Sequence, residues 1–389
     1  MKQPIIICIN SLRIGGTERV VSILLEHLKD VFEIHLALYN NAAHYPIPEG
    51  VKVFTLDQSP GETNFSMLMK GPLLSYRLYR YCRKYKIQTV VAFLNRPCYL
   101  AALMKELWNY KGKVVMCQRT HQSALVKYRS KINRFFSNSL LRCSFSRADL
   151  VLANSIEIEI DLRKYLPAKV AVKMIYNPLD LEEIERMSAE PFSKIFEPGI
   201  FHFIVLGGLR AEKNHSHLLK AFSLLKKGSA KLWIVGGGKL EEDLKAEAIE
   251  LKLGNSVEFC GFINNPFPFV IKADCLVLAS KVEGFPNALL EGLVCGKPVI
   301  STDCFSGPRE ILDPNKEALQ HLKDVEFARF GILVPLESVQ LLAKAMEVIM
   351  EDRTLREEYA LRSREAIKMY DIANLKEEYV SAFSNESPC

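Results

Sequence analysis

The chain has 389 residues, 49% of them apolar, and a formal net charge of +6. That length exceeds what one hydrophobic core usually serves, and the composition argues against a disordered chain; no window approaches 18 consecutive apolar residues, which excludes an ordinary membrane-spanning helix. Ten cysteines, none in C-x-x-C spacing and most inside apolar runs such as IIICIN, VVMCQR, VEFCGF and ADCLVLA, read as free thiols in a reducing compartment rather than a disulfide framework or zinc site.

The N-terminus MKQPIIICIN enters a strand-like pattern directly, with no signal-peptide cleavage site, so the expected location is the cytosol. Short β-branched runs then alternate with helical stretches along the whole chain, the signature of parallel α/β sheets. The first strands are expected at IIICI (Ile5), EIHLALY (Glu33), VKVFTL (Val51), TVVAFL (Thr89), KVVMCQ (Lys113) and DLVLAN (Asp149). After the linker-like stretch EPFSKIFEPGI (Glu190 to Ile200) the pattern restarts with FHFIVLGG, KLWIVGGG, VEFCGF, CLVLAS and PVISTD. The reading is therefore two doubly wound, Rossmann-like domains, 1–190 and 191–365. A C-terminal helix, 366–389, is expected to pack back on the first. Ligands of such sheets bind beyond the C-terminal ends of the strands, so a cleft between the domains is expected.

Charge is distributed unevenly. Between Ser66 and Arg147 there are seventeen Lys and Arg and one acid, Glu106, a net +16, so the remaining residues together carry −10. A basic face of that density calls for an anionic partner: nucleic acid, a membrane surface or a phosphorylated substrate. The stretches MLMKGPLLSYRLYRYCRKYKI and SALVKYRSKINRFFSNSLLRC place Lys and Arg among Tyr, Phe and Leu at helical spacing. Such helices lie on anionic membranes; the plainer alternative is a solvated helix face whose apolar stripe joins the core.

Three glycine-rich turns follow strands and open helices: NSLRIGGTERVV with Gly15 and Gly16, LGGLRAEKNHSHLL, and VGGGKLEEDL. None has dinucleotide or P-loop spacing, and one alone would be weak evidence. Three together, with Arg210 and Lys213 in the second, favour a phosphate-bearing ligand. A further turn, VEGFPNALLEGL, places Pro286 at an expected first helical position, Glu283 at the mouth of the turn and Glu291 within the helix. Two carboxylates beside helix-terminal amides suit a nucleotide sugar: the carboxylates accept from vicinal hydroxyls and the amides and cations meet the diphosphate. No D-x-D motif is present, and the alternating acids of SIEIEID (Ser155) read as a capped, solvated helix start.

These residues resemble a family. Glu283 and Glu291, with seven residues between them, are similar to the E-x7-E motif of the retaining GT-B glycosyltransferases of family 4, as are EGFPNALLEGLVCGKPVIST, GPREI, GGTER, NPLD, LRAEKN, GGGKLEEDL and the Gly261-Phe262 pair. Within it, the N-terminal stretches are most similar to bacterial enzymes that add N-acetylgalactosamine to an undecaprenyl-diphosphate-linked oligosaccharide; O-antigen and capsule transferases are the near alternative. The resemblance implies a UDP-sugar donor, a polyprenyl-diphosphate-linked acceptor, retention of configuration and action at the cytoplasmic face of the inner membrane. It implies that Glu291 holds the ribose, Glu283 the hexose, and Lys213 the leaving diphosphate. Gly15, Gly16, Thr17, Gly208, Gly237, Phe262, and the run Gly284, Phe285, Pro286, Asn287, Ala288 and Leu289 would line the donor site. Arg19, Asn95, Arg96, Lys127, Arg129, Lys131 and Arg134 would face acceptor or membrane.

The chain departs from the family pattern twice. Gly207-Gly208 stands where Gly-Arg is usual, so the phosphate arginine is Arg210 or is absent; and QRTHQ stands where many members carry a cleft histidine, leaving Arg119 and His121 both as candidates. Lys213 and helix N-termini would replace a metal at the leaving group, so no cofactor is expected. A GT-B epimerase or hydrolase, and a nucleic-acid-binding protein, are the readings from other classes; the second leaves the glutamate pair unexplained, and no nucleic-acid partner is expected.

Overall fold

The computed structural model describes residues 2–57, 64–127, 130–192, 194, 196–316 and 322–385, without the side chains of 64–68. Two seven-stranded sheets organise it. The first comprises β1 (Gln3–Ile9), β2 (Phe32–Leu38), β3 (Lys52–Thr55), β4 (Thr89–Phe93), β5 (Lys113–Gln118), β6 (Leu150–Ala153) and β7 (Ala171–Met174), in the order β3-β2-β1-β4-β5-β6-β7 and parallel throughout. The second comprises β8 (Phe201–Leu206), β9 (Ala230–Val235), β10 (Val257–Gly261), β11 (Cys275–Leu278), β12 (Val299–Thr302), β13 (Glu326–Ala328) and β14 (Gly331–Val334), in the order β10-β9-β8-β11-β12-β14-β13. Only β13 runs antiparallel among the described strands.

Burial on both faces explains why the strands read as unbroken apolar runs rather than alternating ones. In β1, Ile6 and Cys8 join one core while Ile5, Ile7 and Ile9 join the core on the opposite face, all fully buried. Three strands escaped the sequence reading. β7 (AVKM) is short and carries a lysine, and β13 and β14 form a short hairpin whose β13 lies at the sheet edge.

The chain divides into two compact units, Met1–Leu179 with Tyr370–Cys389, and Asp180–Met369. The first therefore ends ahead of the expected residue 190, because the helix Leu181–Ser188 belongs with the second sheet: Asn265 donates to Met187 O at 2.7 Å and to Glu190 at 2.8 Å. The supposed linker is likewise part of the second unit's packing. Phe192 lies 4.9 Å from the ring of Phe269, and Phe196 5.0 Å from Trp233, contacts that a free linker would not make. In the first unit, Leu179 and Asp371 form a parallel bridge, and Tyr379 and Phe383 of the helix Ile372–Phe383 are buried in the same core as β1.

Candidate active site

In an open parallel sheet, the strand order reverses at one point, and the loops leaving the two strands there diverge to opposite faces and open a crevice. In the second sheet that point lies between β8 and β11. The turn after β8 carries Lys213, at the end of the short 3-10 helix Ala211–Lys213, and the loop after β11 carries Glu283. The two meet: Lys213 Nζ donates to Glu283 Oε1 at 2.6 Å, and Ser280 Oγ donates to the same oxygen at 2.6 Å. Their side chains are 16% and 9% exposed, so the pair is screened little by solvent. An ammonium has three N–H donors, and this bond uses one of them.

Glu291 lies on the helix Asn287–Val294 and is 8% exposed, so neither it nor Glu283 is a solvated surface residue. Pro286 is the residue before that helix rather than its first member, with φ −74° and ψ 100°. Its rigid φ still sets the entry of the chain, and no side chain caps the N-terminus that follows. Gly284 and Phe285 are buried, Asn287 and Ala288 are half-buried, and Leu289 is fully buried in the core.

The glycine turns of this unit owe part of their composition to each other. A Cβ on Gly236 would sit 1.9 Å from Gly207 O, and one on Gly238 2.4 Å from Leu209 O, so the third turn packs backbone to backbone against the second. A Cβ on Gly237 would meet the ring of Phe262 at 2.8 Å, and that ring is 59% exposed. Gly208 has only ordinary contacts, with Arg210 Nε 3.5 Å from its Cβ position. Arg210 is 61% exposed and pairs with Glu212 at 3.1 Å.

In the first sheet the order reverses between β1 and β4. The helix Gly16–Leu28 follows β1 and carries Thr17 and Arg19 in its first turn, with Gly15 preceding it. Glu18, which the sequence reading passed over, folds its carboxylate against Gly15: a Cβ there would lie 2.1 Å from Glu18 Oε2. An acidic group in the first turn complements the helix dipole, the role assigned to a phosphate at Gly16. Asn95 and Arg96 open the helix Asn95–Trp108 after β4, and the Arg96 guanidinium lies 5.4 Å from the ring of Tyr39.

Arg119 and His121 follow β5 and differ in environment. Arg119 donates from Nη1 to Asn177 Oδ1 at 2.7 Å and lies over the ring of Phe93 at 5.1 Å. Asn154 donates to the same Asn177 oxygen at 3.1 Å, so the asparagine of the NPLD motif holds this arginine and is itself held by Asn154, which the sequence reading did not single out. His121 is 6% exposed and accepts from Ala124 N–H through Nδ1 at 3.1 Å, which leaves the proton of the neutral ring on Nε2. Burial moves its pKa below the ordinary value, opposed by Asp161, whose carboxylate lies 3.4 Å away. Asp161 corrects the reading of SIEIEID. The helix start is capped by Ser155, but Asp161 is 1% exposed and accepts from Ser123 N at 2.9 Å, and Glu157 is also buried. The helix turns that face inward, and the seryl amide and hydroxyl compensate the buried charge. Among the described residues no group of three or more His, Cys, Asp and Glu is placed to hold a metal ion.

Two family models match the chain in tandem: residues 14–183 match Glycosyltransferase Family 4 and residues 189–366 match Glycosyl transferases group 1. The chain is 32% identical to the Campylobacter jejuni N-acetylgalactosamine-N,N'-diacetylbacillosaminyl-diphospho-undecaprenol 4-alpha-N-acetylgalactosaminyltransferase over 373 residues, 95% of this chain and 96% of that protein. It belongs to the family 4 glycosyltransferases. A second Campylobacter jejuni protein, the GalNAc-alpha-(1->4)-GalNAc-alpha-(1->3)-diNAcBac-PP-undecaprenol alpha-1,4-N-acetyl-D-galactosaminyltransferase, is 25% identical over 96% of each chain. Among solved structures, the sucrose-phosphate synthase of Thermosynechococcus elongatus superposes with a TM-score of 0.80 at 16% identity, covering 98% of each chain. The fold is GT-B, and the chain is a hexosyltransferase of this family.

The basic surface of this glycosyltransferase is sharper than its sequence suggested. In the helix Asn64–Lys84, Leu74, Leu78 and Cys82 join the core while Arg77, Arg80, Arg83 and Lys84 are exposed, together with Met69, Leu73 and Tyr76. The helix Lys131–Phe145 divides along its length. Leu141 and Phe145 are buried, whereas Ile132, Phe135 and Phe136 are 69%, 69% and 65% exposed, beside exposed Lys127, Lys131 and Arg134. Arg129 lies outside the described residues. No helix among the described residues is long and apolar enough to cross a membrane.

Proposed function

We propose that this enzyme transfers a hexosamine, N-acetylgalactosamine in α-linkage, from a UDP-sugar to a polyprenyl-diphosphate-linked oligosaccharide, with retention at the anomeric carbon. The observation that carries the reading is the Lys213–Glu283 pair at the switch point of the second sheet. Breaking the sugar–phosphate bond leaves negative charge on the diphosphate and positive charge on the anomeric carbon. Lys213 faces the first and Glu283 the second, and their mutual bond holds both side chains in one rotamer before substrate arrives. Glu291 accepts from the ribose diol, the amides from Phe285 to Ala288 take phosphate and sugar oxygens, and the exposed face of Phe262 offers a surface for the base. Lys213 and the helix N-termini do the work of a metal ion at the leaving group. The transferred sugar and the acceptor class are supported by the names of the two Campylobacter relatives, which cover nearly the whole chain.

The acceptor is a lipid-linked anion, and the exposed apolar and cationic side chains at the start of Lys131–Phe145 suit a membrane surface containing anionic lipid. On this reading the enzyme works at the cytoplasmic face of a bacterial inner membrane. The test is a panel of UDP-sugars incubated with lipid-linked acceptors and read by mass spectrometry. Transfer of one N-acetylhexosamine from UDP-N-acetylgalactosamine supports the reading. Free sugar or an epimer as the main product overturns it.

A further inference from the structure

We infer that Ser306 is a positioning residue for the loop that carries Glu283, acting by fixing the peptide plane between Gly284 and Phe285. The inference rests on the donor site proposed above. It starts from a residue in an uncomfortable conformation: Ser306 has φ +75°, a left-handed value that costs a side chain free energy, and it is fully buried. Its hydroxyl donates to Gly284 O. A glycine would occupy this φ without strain, so the hydroxyl is what the serine adds.

The contact belongs to a repeated arrangement. The loop leaving β12 lies alongside the loop leaving β11, with Val282 and Phe305 in a parallel bridge. Gly307, at φ +99°, passes so close that a Cβ on it would lie 2.5 Å from Pro286 Cδ. From the β12 side, two buried hydroxyls reach back to two carbonyls of the Glu283 loop. Thr302 Oγ1 donates to Ser280 O at 2.6 Å, and Ser306 Oγ donates to Gly284 O.

In a trans peptide the carbonyl and the following N–H point in opposite directions, so a hydroxyl that holds the carbonyl also aims the amide. The first member of the pair shows the outcome directly. With Ser280 O held by Thr302, the next amide, Lys281 N–H, points the other way and donates to Glu212 O at 2.8 Å, beside Lys213. By the same geometry Ser306 turns the Phe285 amide away from the β12 loop. Phe285 is the first of the amides assigned to the donor's sugar and phosphate. Glu283 is thereby held on both sides, by Ser280 and Lys213 at its carboxylate and by Ser306 one residue on.

The experiment compares Ser306→Gly with wild type and with Glu283→Gln, measuring thermal stability, UDP affinity by calorimetry and kcat/KM for the UDP-sugar. Ser306→Gly relieves the left-handed strain and removes the hydroxyl together with its β-carbon. The expected result is unchanged or raised stability, UDP affinity within about twofold, and kcat/KM lower by about tenfold, a factor that one misaimed hydrogen bond accounts for. Wild-type kcat/KM in Ser306→Gly, with Glu283→Gln impaired, overturns the role of Ser306 and leaves the donor site standing. Wild-type activity in Glu283→Gln instead overturns the donor-site reading. Should the glycine variant fold poorly, Ser306→Ala, which keeps the packing volume, is read as activity per folded molecule: a tenfold loss supports the inference and a loss under twofold overturns it.

Discussion

The two halves of the molecule share one order over the first five strands of each sheet and differ in what stands at its focus. Each has a seven-stranded sheet whose order reverses between its first and fourth strands. At the reversal in the second sheet, Lys213, Glu283 and Ser280 form a closed, buried network. At the reversal in the first, the helix N-terminus is occupied by Glu18, and the cations are dispersed: Arg96 over Tyr39, Arg119 tied to Asn177, and others such as Arg77, Arg80 and Arg134 exposed. The fold thus fixes where a site can be, and the side chains decide its kind. The second half gathers its charged groups into one cluster, and the first offers a broad basic and aromatic face.

The sharpest way to break this contrast is to invert the first half's charge. Changing Lys127, Arg129, Lys131 and Arg134 together to Glu should abolish co-sedimentation with anionic vesicles, since each cation near such a surface contributes about 1 kcal/mol. Transfer to a long-chain polyprenyl acceptor should slow, and transfer to a short water-soluble analogue should be spared. Equal loss with both acceptors would show that the cluster serves catalysis or folding instead. In wild type, raised salt should release most of the bound protein; Phe135 and Phe136 should retain a remainder, and their joint replacement by Ser should remove it.

In the second half, Lys213→Ala and Glu291→Gln should each lower turnover by about tenfold or more with the fold intact, because a charge-assisted hydrogen bond contributes about 1.5–3 kcal/mol. Lys213→Ala combined with Glu283→Gln should cost less than the sum of the two separate losses, since the partners touch. Additive losses would mean that the ion pair has no part in the reaction.

A smaller effect follows from His215, which is 3% exposed with neither ring nitrogen hydrogen-bonded. Burial, helped by the charge of Lys213, lowers its pKa to about 4. The unfolded imidazole, near 6.5, binds a proton across that window while the folded one does not, so its contribution to stability is present above about pH 6.5 and is lost as pH falls toward 4. Denaturant midpoints of His215→Leu should therefore decline less than those of wild type between about pH 7 and 5; parallel declines would assign the acid sensitivity elsewhere. The smallest expected effect is that of EDTA, which should leave turnover unchanged if Lys213 and the helix N-termini stabilise the leaving group. Loss restored by Mg²⁺ would overturn that proposal.

Much of this molecule was legible in its sequence. The alternation of apolar runs with helical stretches specified two parallel sheets, because a strand buried on both faces can hardly be anything but apolar throughout. The spacing of Glu283 and Glu291 marked the second site, since a turn and one short helix are local structure. Other features depended on chain segments far apart in sequence. Lys213 and Glu283 lie 70 residues apart, and only the order of β8 and β11 makes them neighbours. Asp161 read as a solvated helix acid until Ser123 and His121 closed over it. The stretch 190–200 read as a linker because sequence shows phenylalanines without showing what they pack on. The two halves of Lys131–Phe145 carry the same residue types and part company only where the helix leaves the core. Local pattern determines which elements form; which side chains become partners is decided by the sheet that brings distant loops to one edge.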